Sequence, residues 1–215
     1  MLASICVTTM KGLPALRHAA SISFCARCGK AVAEARDVYC SDCRSREHDF
    51  DAGRSLLVYT DAAARMIARY KFHNQRYYAD WFAEQMAARL ADDIRAMGAD
   101  TLVPVPMYEK KRLARGFDQT LLLAEKLAEH TGLRVRRLLT RTKETRPMKD
   151  LGYEDRLLNV ISALDIAPDA GPVPERVIVT DDIYTTGSTV DAFARVLKKA
   201  GAKKVYFLAA AAGRD

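Results

Sequence analysis

An apolar run that ends in two adjacent carboxylates and then opens a helix leaves this chain few folds to choose from. Val177, Ile178, Val179 and Thr180 lead into Asp181 and Asp182, and Ile183, Tyr184, Thr185, Thr186, Gly187, Ser188 and Thr189 follow. Behind that loop Val190, Phe193, Ala194 and Leu197 recur at i, i+3, i+4, i+7, the spacing of one buried helical stripe. Lys198 and Lys199 fall in the last turn, and Gly201 is placed to end the helix. Val205 to Ala212 is continuously apolar, as expected of a strand covered on both faces. Strand, helix and strand in so short a span predict a βαβ unit, and hence a mostly parallel sheet flanked by helices.

The loop has a chemistry of its own. Asp181 and Asp182 are expected where a strand ends, with oxygens able to accept hydrogen bonds from a vicinal diol. Thr185 to Thr189 offer hydroxyls, backbone N–H groups and a helix N-terminus, which together suit an anion. Gly187 would let the backbone approach a phosphate oxygen without a Cβ in the way. A sugar phosphate matches both halves. A P-loop NTPase would also place acids after a strand, but the chain has no G-x-x-x-x-G-K-[ST].

Cys25-Ala-Arg-Cys28 and Cys40-Ser-Asp-Cys43 are two C-x-x-C knuckles with eleven residues between them. Two facing knuckles complete a tetrahedral four-sulfur site, so structural zinc is the expected cofactor. So short and polar a segment needs the metal to fold. Disulfides are the competing reading; without an export signal in view, zinc is preferred. Cys6 is left over, as an incidental or buried thiol.

The chain has 215 residues and 49% hydrophobic content, room for one α/β domain and a small appendage. The expected division is 1–48 for the N-terminal segment with its zinc module and 49–215 for the α/β domain. No run is apolar enough to span a bilayer, so no membrane insertion and a cytoplasmic location are expected. The formal charge of +7 suits a polyanionic small molecule, nucleic acid or a solvated basic surface.

The remaining segments are read more coarsely. Residues 44–56 are expected to be an irregular linker. Asp61 is expected to cap a helix running to about Tyr70, with Ala64, Ile67 and Ala68 inward, and a second helix is expected over Trp81–Ile94. Leu102 to Pro106 reads as a short buried strand. A helix carrying Leu122, Leu123, Leu127 and Ala128 should end at Gly132, and Thr140–Lys149 should form a loop or lid.

These motifs carry a resemblance. The acidic loop is similar to the phosphoribosyl pyrophosphate (PRPP) motif of type I phosphoribosyltransferases. Over nearly its whole length the chain resembles the ComF family of competence-associated proteins, which join a four-cysteine zinc module to such a domain. Four features match in order: the knuckles; Tyr70-Lys71-Phe72; Val103-Pro104-Val105-Pro106 with Arg115-Gly116-Phe117-Asp118-Gln119; and the acidic loop. Asp118 stands where the family usually has Asn, and Pro147-Met148 where Gln often follows proline; Arg156 and Asn159 keep an Arg-x-x-Asn spacing.

The resemblance implies a type I phosphoribosyltransferase-like fold that binds PRPP with Mg²⁺. It gives Asp181 and Asp182 the catalytic role of holding the ribose hydroxyls. Thr185, Thr186, Gly187, Ser188 and Thr189 would cradle the 5′-phosphate, Lys110, Lys111 and Arg112 would face the pyrophosphate, and Tyr184 and Arg115 would also bind PRPP. It also implies single-stranded DNA and competence-machinery proteins as partners, whether the chain is a transferase or a non-catalytic binder. In 6-oxopurine phosphoribosyltransferases an Asp stands two residues before the loop glycine; Thr185 stands there here and is a poor general base, which disfavours hypoxanthine or guanine salvage.

Overall fold

The computed structural model describes residues 23–32, 34, 36–145 and 151–215. Cys6 and the Pro147-Met148 pair lie outside them.

The chain builds β1 (Ala52–Val58), β2 (Thr101–Pro104), β3 (Arg134–Val135), β6 (Arg176–Tyr184) and β7 (Lys204–Ala212) into one sheet of order β1-β7-β6-β2-β3. Every pairing in it is parallel. A separate antiparallel pair joins β4 (Leu139–Arg141) to β5 (Leu164–Ile166). Helix α1 (Ser41–Ser45) belongs to the second knuckle. Helices α2 (Asp61–Phe72), α3 (Tyr77–Arg89) and α4 (Ala91–Met97) connect β1 to β2. Next come α5 (Glu109–Arg115) and α6 (Gln119–Thr131), then α7 (Tyr153–Ile161) before β5 and α8 (Ser188–Lys199) between β6 and β7.

The βαβ expectation over 177–212 is met: Val177 to Val179 and Phe207 to Ala209 are fully buried, as strands covered on both faces must be. Two apolar clusters lie on either side of the sheet. One holds Tyr70, Phe82, Met86, Leu123 and Leu127. The other holds Phe50, Val190, Phe193, Leu197 and Phe207, and three of the knuckle cysteines, Cys25, Cys28 and Cys40, belong to it as well.

Several local expectations shift. The 44–56 stretch is not simply a linker: β1 begins at Ala52 and pairs with β7, while His48 and Phe50 are buried. The first helix is capped by Thr60, whose side chain accepts from the Ala63 N–H, rather than by Asp61. Its buried face is Ala63, Met66, Ile67 and Tyr70, one position off the Ala64–Ala68 register. The Trp81–Ile94 helix is two helices that meet at Leu90. Gly132 does end α6, at φ 72°.

Candidate functional site

Strand order reverses between β6 and β2: the β2–β3 connection runs toward one edge and the β6–β7 connection toward the other. A crevice opens at such a switch point beyond the carboxyl ends of the strands. Pairing of β6 with β2 stops at Pro104 and Thr180, whereas pairing with β7 continues to Tyr184 and Ala212. The two acids therefore sit in a strand that is still paired on one side and open on the other. A cleft of about 370 Å³ lies there.

Asp181, Asp182, Ile183, Thr185 and Thr189 form one wall of the cleft, and Val105 to Tyr108 form the opposite one. Lys111 and Arg115 of α5, Gln119 and Thr120 of α6, Lys71 of α2 and Arg141 of β4 complete the lining. Of the four basic residues expected near the pyrophosphate, Lys111 and Arg115 reach the cleft. Lys110 and Arg112 do not line it: Arg112 is tied to Glu109 on the exposed face of α5. Two cations outside the expected set, Lys71 and Arg141, line it as well. Lys71 Nζ is 2.8 Å from Asp182 Oδ1. Gln119 Nε2 donates to the other oxygen at 3.1 Å, and Arg115 Nη1 donates to Gln119 Oε1 at 2.5 Å.

Asp181 is less well compensated. It accepts the Asp182 N–H at 2.8 Å, but burial first, and then the charge of Asp182, push its carboxyl up to about 7. Lys71 and Arg141 pull the other way without offsetting this. Desolvation also lowers the Arg141 guanidinium from its ordinary value. Near neutral pH the pair thus holds a carboxyl whose charge is only partly met, the donor set a hydroxyl pair or a hard cation would satisfy.

The phosphate loop divides. Thr185 and Thr189 face the cleft. Gly187 adopts φ 89° at the N-cap of α8, and the first-turn N–H groups behind it have no intrahelical acceptor. The Thr186 and Ser188 hydroxyls lie 3.3 Å apart. Tyr184 turns away from the cleft. Its ring is 1% exposed and stacks on Phe207 at 4.5 Å, so its side chain serves the core. Asp118 has a local use: its Oδ1 caps α6 by accepting from Thr120 N at 3.2 Å and Leu121 N at 3.1 Å.

The four knuckle cysteines come together, with their sulfurs all within 4.8 Å of one another. A tetrahedral ion with metal–sulfur bonds of about 2.3 Å needs sulfurs about 3.8 Å apart, and Cys28 and Cys40 are separated by 3.6 Å. Four sulfurs so close repel as thiolates unless a cation sits among them, so the quartet fits a metal ion. The module is seated on the sheet. Gly53 N–H donates to Arg27 O at 2.7 Å, Ala31 bridges Arg214, and Ser41 N–H donates to Asp215 Oδ1 at 2.7 Å. Among the described residues no helix is long and apolar enough to cross a membrane.

No protein-family model matches the chain. It is 26% identical to Competence protein F of Haemophilus influenzae over 190 residues, 86% of this chain and 82% of that protein. It is 26% identical to the DNA utilization protein YhgH of Salmonella typhimurium over 188 residues, 86% of this chain and 82% of that protein. Competence protein ComFC of Streptococcus pneumoniae is 27% identical over 168 residues, 77% of this chain and 71% of that protein. Among solved structures, a phosphoribosylpyrophosphate synthetase from Mycobacterium smegmatis overlaps 62% of this chain and 33% of its own, with TM-score 0.35 and 19% identity. A hypoxanthine phosphoribosyltransferase from Staphylococcus aureus overlaps 62% of each chain, with TM-score 0.37 and 11% identity. The chain thus spans a third of the synthetase and less than two thirds of the transferase. With relatives that share most of their length with it, and with the knuckles, the Val-Pro-Val-Pro strand and the acidic loop in one order along it, this chain is similar to the competence proteins of the ComF type.

Proposed function

We propose that the cleft binds PRPP with Mg²⁺, and that the protein transfers the phosphoribosyl group to an acceptor in the course of DNA uptake. The observation that carries this reading is the incompletely compensated Asp181–Asp182 pair at the switch point, with the Thr185–Thr189 turn and the start of α8 beside it. The acids would hold the ribose hydroxyls, and the turn the 5′-phosphate. Lys71, Lys111, Arg115 and Arg141 would meet the pyrophosphate, where charge builds as its bond to C1 breaks and the acceptor's bond forms. Magnesium would draw on a carboxylate, phosphate oxygens and water. The four cysteines would hold zinc in a structural role, with residues 1–48 as the appended segment and 49–215 as the transferase-like domain.

Calorimetry with PRPP and Mg²⁺ at pH 8 should give saturable binding, and the Asp181→Asn, Asp182→Asn double variant should lose it. Wild-type affinity should fall by up to about 10-fold per pH unit below 7, as Asp181 takes up a proton. Unchanged affinity in the double variant would sink the site. Pyrophosphate release against a panel of acceptors, DNA included, separates transfer from binding alone.

A second reading, single-stranded DNA binding without turnover, is favoured by one surface. Phe72 is 69% exposed with the Arg115 guanidinium 4.9 Å over its ring, and Tyr77 beyond it is 47% exposed. Aromatic faces beside cations suit stacked bases. Tyr78 and Phe117 are buried and serve the core. Binding of a short single strand should weaken steeply between low and physiological salt, and a flat response counts against this surface.

A further inference from the structure

Behind the phosphate turn, outside the cleft, lies a buried polar cluster. Asp191, four residues after Gly187, is 0% exposed. Its Oδ2 is 2.6 Å from His48 Nδ1 and accepts from the Tyr153 hydroxyl at 2.6 Å. Its Oδ1 accepts the Asp49 N–H at 2.6 Å and the Phe50 N–H at 3.4 Å. Its own N–H donates to the Gly187 carbonyl at 2.8 Å. His48 also touches the turn from the other side: a Cβ on Gly187 would meet His48 Cε1 at 3.1 Å and the Tyr184 hydroxyl at 2.8 Å. A carboxylate buried this deeply is costly unless its acceptor sites are filled. Here they are filled from two separate stretches of chain, residues 48–50 and Tyr153, and the helix that carries it begins at the turn.

We propose that His48 and Asp191 are positioning residues that fix the Thr185–Thr189 turn, with His48 delivered by the segment that follows the cysteine module. The inference rests on the sugar-phosphate reading of that turn. Neither side chain lines the cleft. The dyad acts through Gly187: Asp191 anchors the first turn of α8 from behind, and the imidazole closes the space into which the glycine would otherwise relax. Anion-binding N–H groups work only when held to within about 0.5 Å of their working geometry. A short, directional set of hydrogen bonds imposes that where apolar packing would not. Arg46, its guanidinium 4.3 Å over the Tyr153 ring, extends the same arm back toward the second knuckle.

The test uses ribose 5-phosphate and the full chain. His48→Gln and Asp191→Asn should weaken its binding by about 10-fold, the scale of one charge-assisted hydrogen bond. His48→Asn, whose amide nitrogen can stand in for Nδ1, should restore binding to near the wild-type value. Hydrogen exchange of the 185–189 amides should quicken in His48→Gln and not in His48→Asn, with β2 amides unchanged in both. Wild-type binding with both weakening variants unaffected overturns this inference and leaves the sugar-phosphate reading standing. Equal loss in all three variants, with β2 exchange raised as well, reduces the dyad to packing and also overturns it. No binding by the wild-type chain overturns the reading of the turn and this inference with it.

Discussion

Replacing Cys28 with serine is expected to lower the thermal midpoint of the whole chain by at least about 10 °C, in a single transition. A structural metal supplies about 10–16 kcal/mol in small zinc modules, as much as an entire domain's net stability. A module hung on a flexible tether would lose that locally. This one cannot, because Cys25, Cys28 and Cys40 share a core with Phe50, Tyr184, Phe193 and Phe207. Burial above all holds the Tyr184 phenol well above its ordinary pKa, since its ring lies in the same core as the cysteines. At about 2–4 °C per kcal/mol for a chain of this size, a loss of only about 4 kcal/mol produces the shift. Calorimetric melts with and without a chelator, alongside elemental analysis, check it. A separate low-temperature transition with the main one unmoved would mean that the module folds and melts by itself.

Gly53→Ala is expected to cost about 2–4 kcal/mol, more than most alanine substitutions at glycine. Gly53 lies in β1, where a new Cβ would sit 1.9 Å from Phe207 Cε1 and 2.1 Å from Cδ1. Phe207 is 0% exposed and cannot swing outward. One face stacks on Tyr184, and Phe50 meets it edge-on at 5.1 Å. Relief therefore requires moving three aromatic rings at once, one of them three residues before Gly187. Urea denaturation reads the cost directly. A midpoint equal to wild type would show that the ring has room to yield which the packing does not suggest.

The sequence was most legible where one segment carries its whole signal. The Val177–Ala212 unit has its apolar runs, helical stripe and turn residues in one stretch, and the knuckles carry their ligands in their own spacing. Sequence spacing failed where a residue's partner is far along the chain. Nothing around His48 announces it, because its partner Asp191 lies 143 residues away. The 44–56 stretch overlaps the start of β1 because that start is Ala-Gly-Arg-Ser and only Leu56-Leu57-Val58 looks like a strand; burial of Gly53 and Ser55 comes from β7, not from local pattern. Lys71 belongs to the Tyr70-Lys71-Phe72 motif, but its use follows from the end of α2 meeting Asp182. Lys110 and Arg112 belong to a basic run whose helical phase the sequence alone does not show. Once α5 forms, only some of its faces meet the cleft.

The seating of β1 has a consequence for how the chain comes into being. Among the described residues its only strand partner is β7, and the knuckles rest on residues just after β7. As a ribosome delivers the chain, the cysteines and β1 emerge well before β7 and the residues on which the knuckles rest. Until β7 is made, the knuckles lack that surface and β1 lacks its neighbour in the sheet. Contacts of such long sequence separation form slowly, so a metal ion bound by the knuckles would order them before β7 arrives.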